Sequence, residues 1–280
     1  MGDIKTGWEL ENRTHFDEIV VNYDKIRPEC PGKLFTDIFD YIGTDKAKNT
    51  LEIGAGTGKA TIPFLDAGYD VTAVEISVNM VKVLRDRFKD YNKFKVINTA
   101  FEDALLEENT YDLIYAVSAF HWVNAQIGCP KVLRLLKTGG AVALICYTGV
   151  LRYAGAPGED EETYEKIQEI YKKYFHKPYK KPLKISKEIM KEPDEIFKRY
   201  GFKDLRDYGF TDISINLYDA SRIFNADEYI TLLDTYADHR NLPENDKRYL
   251  YEGIKEVILK NGGCYKMDNI FQLYMGRKKD

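Results

Sequence analysis

Cysteine and histidine are scarce in this 280-residue sequence, which contains four of each. The cysteines, Cys30, Cys129, Cys146 and Cys264, form no Cys-x-x-Cys pair, and the histidines show no metal-ligand spacing. The pattern therefore predicts neither a bound metal nor a disulfide framework. Isolated cysteines of this kind suit a reducing compartment.

Two other features are missing. No apolar run approaches the roughly 18 residues that span a bilayer, and Met1–Asn12 carries charges where a signal peptide would be apolar. We therefore expect a soluble, cytoplasmic protein without a membrane partner.

There is also no excess of positive charge: the formal net charge is −4, whereas nucleic-acid-binding domains are usually basic. This composition argues against a nucleic-acid partner.

What the sequence does contain is an alternation of buried-strand and amphipathic-helix patterns. The N-terminal part is predicted to be helical over Trp8–Val21 and Gly32–Ile42. Strands are predicted over Thr50–Ile53, Asp70–Ile76, Phe94–Asn98, Tyr111–Val117 and Ala141–Tyr147. Helices are predicted over Lys59–Ala67, Asn79–Phe88 and Gln126–Leu136, the last one ended by the glycines of Lys137–Gly140. Such alternation indicates a doubly wound α/β fold with a mostly parallel sheet.

After Tyr147 the pattern changes. Helices are predicted over Glu161–Phe175, Pro193–Arg199, Asp227–Tyr236 and Glu244–Leu259, and strands over Phe210–Ile223 and Met267–Met275. Two late strands that enclose helices predict an antiparallel C-terminal edge on the main sheet and a helical lid.

The strongest motif is the glycine loop Leu51–Gly58, which follows a strand and opens a helix. Its glycines allow a tight turn and close approach to a ligand, and the helix N-terminus offers free N–H groups. A dinucleotide loop, G-x-G-x-x-G, would need glycine where Lys59 stands. The observed G-x-G-x-G, with Glu52 two residues before the first glycine, favours S-adenosylmethionine over NAD. A tight turn that binds no ligand is the structural alternative.

Polar residues follow the next two strands. Glu75 ends the second strand about twenty residues after the glycine loop, where an acid accepts hydrogen bonds from ribose hydroxyls in nucleotide-binding α/β folds. After the third strand, Phe101 is a candidate to pack on the adenine base. Either Glu102 or the local backbone is a candidate to bind the exocyclic amine of the adenine. The alternative for both acids is an ordinary helix cap.

These residues resemble the small-molecule branch of class I S-adenosylmethionine-dependent methyltransferases, with trans-aconitate methyltransferase-like and ubiquinone-type relatives. The matching segments are Tyr23–Pro31, Leu51–Gly58, Glu75, Phe101–Glu102, Ser118–Trp122 and Leu133–Gly140, in which Thr138 replaces the family's proline. The resemblance covers roughly Tyr23 to Tyr147, and the remainder is similar only in predicted topology.

The resemblance implies a seven-stranded sheet and S-adenosylhomocysteine as product. It implies that Gly54, Gly56 and Gly58 approach the methionine part of the cofactor and that Glu52 orients this loop. Tyr23 and Arg27 would lie on a segment that closes over the cofactor, and Ser118 would contact it. The predicted organisation is an N-terminal helical cap segment (1–48), an S-adenosylmethionine-binding core (49–150) and a helical lid or substrate region with the last two strands (151–280).

The predicted function is methyl transfer to a small molecule, with a carboxylic acid as one candidate acceptor. Such a reaction needs mainly alignment and exclusion of water. His121 is the candidate general base if the acceptor must lose a proton, and a structural role beside Trp122 is the alternative. Two other functions stay open, a non-catalytic S-adenosylmethionine-binding protein and an NAD-dependent oxidoreductase. The oligomeric state cannot be read from the sequence.

Overall fold

The computed structural model describes residues 26–43, 48–148, 161–175, 179 and 186–279. The strands are β1 (Asn49–Ile53), β2 (Asp70–Glu75), β3 (Phe94–Asn98), β4 (Tyr111–Val117), β5 (Leu136–Thr148), β6 (Phe210–Asn225) and β7 (Cys264–Lys278). The first helices are α1 (Gly32–Ile42), α2 (Thr61–Asp66), α3 (Val78–Arg87) and α4 (Ala125–Leu135). The later ones are α5 (Glu161–Tyr174), α6 (Pro193–Tyr200), α7 (Ala226–Leu233), α8 (Ala237–Arg240) and α9 (Glu244–Lys260). Short 3₁₀ turns occupy Phe120–Trp122, Ile189–Lys191 and Leu205–Tyr208. The helix predicted over Trp8–Val21 lies outside the described residues.

The seven strands form one sheet in the order β3-β2-β1-β4-β5-β7-β6. Strands β1 to β5 pair in parallel, and β7 runs antiparallel between β5 and β6. The predicted doubly wound α/β fold with an antiparallel C-terminal edge is therefore confirmed. The strand order reverses between β1 and β4, which is where open α/β sheets bind ligands, outside the carboxyl ends of the strands.

Apolar side chains cover both faces of the sheet. On one face α1 buries Leu34, Phe35 and Ile38, whose helical spacing places them on a single stripe. On the other face α4 contributes Val132 and Leu135 to a second cluster. These two layers fix the carboxyl ends of the parallel strands relative to one another.

The strands β6 and β7, with 16 and 15 residues, are two to three times as long as β1 to β4, which have 5 to 7 residues. Only Ile270–Arg277 of β7 pairs with β5, whereas Cys264–Asn269 pairs with β6 alone. This extension packs against α5, α7 and α9 in a third apolar cluster, which includes Ile167, Leu232 and Ile254. The cluster corresponds to the predicted helical lid.

The glycines before β5 have a different role from the predicted one. Helix α4 ends at Leu135, and β5 already begins at Leu136, so Gly139 (φ 73°) lies inside the strand. The pairing of β5 with β4 shifts register between Tyr111 and Leu113. The prediction of a glycine helix end was wrong, because the positive φ serves a bulge in the first part of β5.

None of the helices in the described ranges has the length and apolarity that crossing a bilayer requires.

Candidate functional site

The glycine loop lies between β1 and α2, at the carboxyl edge of the sheet. Gly54, Gly56 and Gly58 all have positive φ, of 68°, 58° and 85°. A Cβ on Gly54 would lie 2.5 Å from the Cβ of Ala119, and one on Gly58 would lie 2.4 Å from the Phe88 ring. A Cβ on Gly56 would meet no atom within 4 Å. Packing therefore requires the outer two glycines, while the middle one borders open space.

Two cavities meet at this loop. The first, of about 110 Å³, is lined by the ends of β1, β2 and β4 and by Thr99–Glu102 after β3. The second, of about 330 Å³, is lined by the glycine loop, Arg27–Cys30, the start of α2 and the side chains of Tyr147 and Phe271. Four residues line both cavities, and we call them the neck: Gly54, Gly56, Val117 and Ser118.

Glu75 stands at the end of β2 in the wall of the first cavity and is 6% exposed. One carboxylate oxygen accepts a hydrogen bond from Gly56 N and the other from Ser77 N, each at 2.8 Å. A carboxylate has about four lone-pair positions, and these two bonds use two of them. The side chain thus braces the glycine loop while facing the cavity.

The loop after β3 is held by a residue that sequence reasoning missed. Lys131, on α4, donates to the carbonyl oxygens of Phe101, Glu102 and Ala104 at 2.8, 3.0 and 2.6 Å. Burial lowers the pKa of this lysine below its usual range. No local motif marks the contact, because it joins residues about 30 positions apart in sequence. Glu102 accepts a longer bond, of 3.3 Å, from Asn124 N.

Glu52 is 1% exposed and lines the second cavity. Its Oε2 accepts hydrogen bonds from Thr61 Oγ1 at 2.5 Å and from Tyr115 OH at 3.1 Å. Burial raises the pKa of Glu52 to about 8, the two hydrogen bonds oppose this, and the charge of Glu75 adds to it. The carboxyl is therefore largely protonated at neutral pH when no ligand is bound.

Arg27 forms the outer wall of the second cavity. Its guanidinium donates to Tyr147 OH at 2.7 Å and to the carbonyl of Thr235 at 2.6 Å, and it lies 4.5 Å from the Tyr236 ring centroid. Lys59, on the opposite side, donates to the carbonyl of Arg27 at 3.3 Å. The segment that carries Arg27 is thereby fixed to the glycine loop, to the end of β5 and to the lid.

His121 lies in the 3₁₀ turn after β4, with its ring 4.9 Å from that of Trp122. The side chain keeps an exposed face but lines neither cavity. Protein around the rest of the imidazole desolvates it and, with the positive charge of Arg27, lowers its pKa from 6.5 to about 4. The imidazole is accordingly neutral at pH 7.

The structure brings most of the predicted site residues together. Those lining the first cavity are Gly54, Gly56, Glu75, Phe101, Glu102 and Ser118, and those lining the second are Arg27, Glu52, Gly54, Gly56 and Ser118. Gly58 and His121 line neither cavity, and Tyr23 lies outside the described residues. Among the residues that are described, no group of acids, histidines and cysteines is arranged to hold a metal ion.

Residues 51–144, which include the glycine loop and every residue that lines the first cavity, match the family model described as a methyltransferase domain. This segment is therefore similar to methyltransferase domains, and we call it the methyltransferase domain. The match covers about a third of the chain.

Two curated relatives resemble the methyltransferase domain. A Mycobacterium bovis protein named as an uncharacterised methyltransferase is 32% identical over 133 residues, which cover 48% of this chain and 52% of the relative. The malonyl-[acyl-carrier protein] O-methyltransferase of Acetivibrio thermocellus is 31% identical over 135 residues, 46% of each protein. The chain thus spans about half the length of these curated relatives.

The fold around the methyltransferase domain also resembles solved structures. A phosphoethanolamine N-methyltransferase of Haemonchus contortus, solved with S-adenosylhomocysteine, superposes with a TM-score of 0.54 at 16% identity. The superposition covers 97% of this chain and 59% of the other. At this identity the likeness establishes the shared fold alone.

Proposed function

We propose that this protein transfers a methyl group from S-adenosylmethionine to a small-molecule acceptor that carries a carboxylate, leaving S-adenosylhomocysteine. The observation that carries the proposal is the pair of cavities joined at the glycine loop. The adenosine part fits the first cavity, and the methionine part and the acceptor share the larger second one.

In the first cavity Glu75 is the residue to bind the ribose hydroxyls, since its carboxylate stands in the cavity wall at the end of β2, where nucleotide-binding α/β folds place such an acid. Phe101 would pack against the adenine, and Glu102 or the backbone of Thr99–Glu102 would bind its amine. The three bonds from Lys131 keep that loop in place.

In the second cavity the open space beside Gly56 suits a ligand that lies directly on the backbone. Glu52 would face the methionine ammonium, and a nearby positive charge would favour its ionised form. A buried acid, a glycine backbone without a Cβ and free volume adjoin one another here, and together they fit the methionine part of the cofactor.

The acceptor class is inferred from charge and chemistry. Arg27 and Lys59 place two cationic groups in the wall of the second cavity, and Lys59 lies 3.8 Å from the exposed carboxylate of Glu29. Glu52, the buried acid of this cavity, has a pKa of about 8 and is largely protonated at neutral pH. One similar protein is named for O-methylation of a malonyl group, which carries a carboxylate. A carboxylate is already ionised at pH 7, so it needs no general base. His121 remains the candidate base only for an acceptor that must lose a proton.

When bound, S-adenosylmethionine would supply a methyl group on a positively charged sulfur. A lone pair of the acceptor would form the new bond to the methyl carbon, while the carbon–sulfur bond breaks and its electron pair goes to the sulfur. The residues of this chain contribute alignment and exclusion of water, which suffice for such a displacement. Arg27 and Tyr147 would orient the acceptor, and the lid behind Thr235 would shield it.

We also propose that the protein belongs to the small-molecule branch of these methyltransferases and that it is located in the cytoplasm. Its proposed organisation has three parts, a cap segment at 1–48, a cofactor-binding core at 49–150 and a lid or substrate region at 151–280. The net charge of −4 supports an acceptor other than a nucleic acid.

The test is to incubate the full chain with S-adenosylmethionine labelled in the methyl group and with separate sets of small carboxylic acids, amines and phenols. We expect label in the acids, released as methanol by mild alkali because the products are methyl esters. Label in amines or phenols alone would overturn the carboxylate acceptor. Cofactor binding without transfer to any set would favour a non-catalytic binding protein.

A further inference from the structure

Tyr147, near the end of β5, presents its side chain to the second cavity. Its ring lies 5.4 Å from that of Phe271, which lines the same cavity. The phenolic oxygen of Tyr147 accepts a hydrogen bond of 2.7 Å from Arg27. A phenol can also donate one hydrogen bond, and no residue in the described ranges accepts this proton. The Tyr147 O–H is therefore left to serve a ligand in the cavity.

The guanidinium of Arg27 lies between two tyrosine rings. Its central carbon is 6.0 Å from the ring centroid of Tyr147 and 4.5 Å from that of Tyr236, which precedes α8 in the lid. A cation and the face of an aromatic ring attract one another, which favours this arrangement. Arg27 thereby connects a lid residue to the hydroxyl that faces the cavity.

The hydroxyl of Tyr236 is buried and has no hydrogen-bond partner among the residues that the structure describes. Buried tyrosine hydroxyls usually have one, so this group has an unused capacity to donate. Burial raises the pKa of Tyr236 well above its usual range, and the neighbouring Tyr147 adds to this effect. The Tyr236 hydroxyl therefore keeps its proton and lies close enough to Tyr147 to act on it.

We infer that the carboxylate of the acceptor binds to the O–H of Tyr147 and that Tyr236 is a positioning residue for this contact. With the Tyr147 proton directed at the carboxylate, the Tyr147 oxygen accepts hydrogen bonds from Arg27 and Tyr236 together. Hydrogen bonds in such a chain polarise one another, and this strengthens the bond to a charged ligand. The inference rests on the proposed function and names the side chains that select its acceptor.

The chain of hydrogen bonds favours an ionised acid over a neutral molecule of the same shape. A carboxylate accepts a hydrogen bond with its negative charge, whereas the oxygen of a primary amide accepts a weaker, neutral one. Each acid and its primary amide therefore form a matched pair of ligands. Loss of the Tyr147 hydroxyl should affect the acid more than the amide.

The test measures binding without turnover. The probe is the acid that receives most label in the experiment that tests the proposed function, together with its primary amide. Their dissociation constants are measured by calorimetry on the full chain saturated with S-adenosylhomocysteine. Tyr147→Phe, Tyr236→Phe and the double variant remove hydroxyls and keep the rings. Tyr251→Phe is the matched control, because this hydroxyl of the lid already donates to Asp234, at 3.2 Å.

We expect Tyr147→Phe to weaken binding of the acid by about tenfold or more, the effect of losing one charged hydrogen bond. Tyr236→Phe should weaken it by about three- to fivefold, and the double variant should bind the acid no worse than Tyr147→Phe does. Affinity for the amide should change less, and affinity for S-adenosylhomocysteine should not change. Tyr251→Phe should leave all three affinities unchanged.

Two further measurements distinguish positioning from a structural role. In methyl transfer, Tyr236→Phe should raise KM for the acid without lowering kcat, because it removes support for binding. In the protein without ligands, Tyr236→Phe should leave the midpoint of urea denaturation unchanged, since its hydroxyl makes no bond there. Tyr251→Phe should lower this midpoint, because it breaks the bond to Asp234.

Unchanged binding of the acid to Tyr147→Phe, or additive losses in the double variant, would overturn the inference and leave methyl transfer to an acid intact. Equal losses of affinity for S-adenosylhomocysteine would also overturn it, because the two hydroxyls would then hold the cofactor. A lower urea midpoint in Tyr236→Phe would do the same, since its hydroxyl would have a partner within the chain. Absence of label in every acid would contradict the proposed carboxylate acceptor and the inference with it.

Discussion

The residues that line the two cavities differ in how far apart they lie in the sequence. The first is built entirely from residues between Ile53 and Val123, most of them at strand ends or in the loops that follow. The second draws on positions from Arg27 to Phe271, and Arg27 reaches across to the carbonyl of Thr235 in the lid. The first cavity is thus encoded by short motifs, whereas the second depends on contacts between distant segments.

The family match follows the same division. It covers residues 51–144, which contain every residue that lines the first cavity, and it leaves out Arg27, Tyr147 and Phe271 of the second. Changes in the outer segments can reshape the second cavity while the glycine loop stays the same.

The largest effect is expected at Glu75. Replacing it with alanine removes the acceptor for the ribose and leaves Gly56 N and Ser77 N without their partner. Affinity for S-adenosylhomocysteine should fall about a thousandfold, since two charged hydrogen bonds are lost. Glu107→Ala is the control, because Glu107 is an exposed acid that lines neither cavity, and it should have no measurable effect. Equal losses in calorimetry would contradict the assignment.

The glycine loop offers a pair of substitutions that separate folding from binding. Gly58→Ala should lower the free energy of unfolding by about 3 kcal/mol, because the new Cβ would collide with Phe88 and the φ is positive. Gly56→Ala should cost only about 1–2 kcal/mol of backbone strain but should abolish S-adenosylhomocysteine binding by entering the open space. Urea denaturation and calorimetry measure the two effects. Similar stabilities for the two variants would argue against this division of roles.

The free energy of unfolding should depend on pH through Glu52, which lines the second cavity and not the first. The pKa of Glu52 is raised from 4.5 to about 8 in the folded protein, so the folded state binds the proton more tightly than the unfolded one. Stability from this group is full below pH 4.5 and is lost as the pH rises through 8, a change on the order of 4–5 kcal/mol.

Glu52→Gln, which keeps an acceptor for Thr61 and Tyr115, should flatten this part of the stability profile. Urea denaturation of both proteins between pH 5 and 8 checks it. If Glu52→Gln shows the same dependence of stability on pH as the unmodified protein, Glu52 is not the titrating group.

A smaller effect is expected at Lys131. Lys131→Met removes three bonds to the loop beside the adenine and should weaken S-adenosylhomocysteine binding by about tenfold. Arg134→Met on the same helix, which breaks only an exposed pair with Glu108, should have no measurable effect. If both variants bind alike, Lys131 does not hold the adenine loop.

Sequence reasoning recovered the strands that border the first cavity because their signals are local. The glycine loop and Glu75 are recognisable within their own segments, and the alternating pattern located β1 to β4 within one residue at either end. It missed Lys131 and the bonds that Thr61 and Tyr115 make to Glu52, since these join residues brought together only by folding. It also misread Gly139, whose positive φ fits a strand bulge as well as a helix end.

The central claim is that one ligand spans both cavities through the neck, and calorimetric titration of the unmodified chain tests it most directly. S-adenosylmethionine and S-adenosylhomocysteine should each bind at one site. Adenosine alone should bind more weakly because it fills only the first cavity, and NAD should not bind. Binding of NAD alone, or of neither S-adenosyl compound, would contradict the account and favour an oxidoreductase or a site without a nucleotide cofactor.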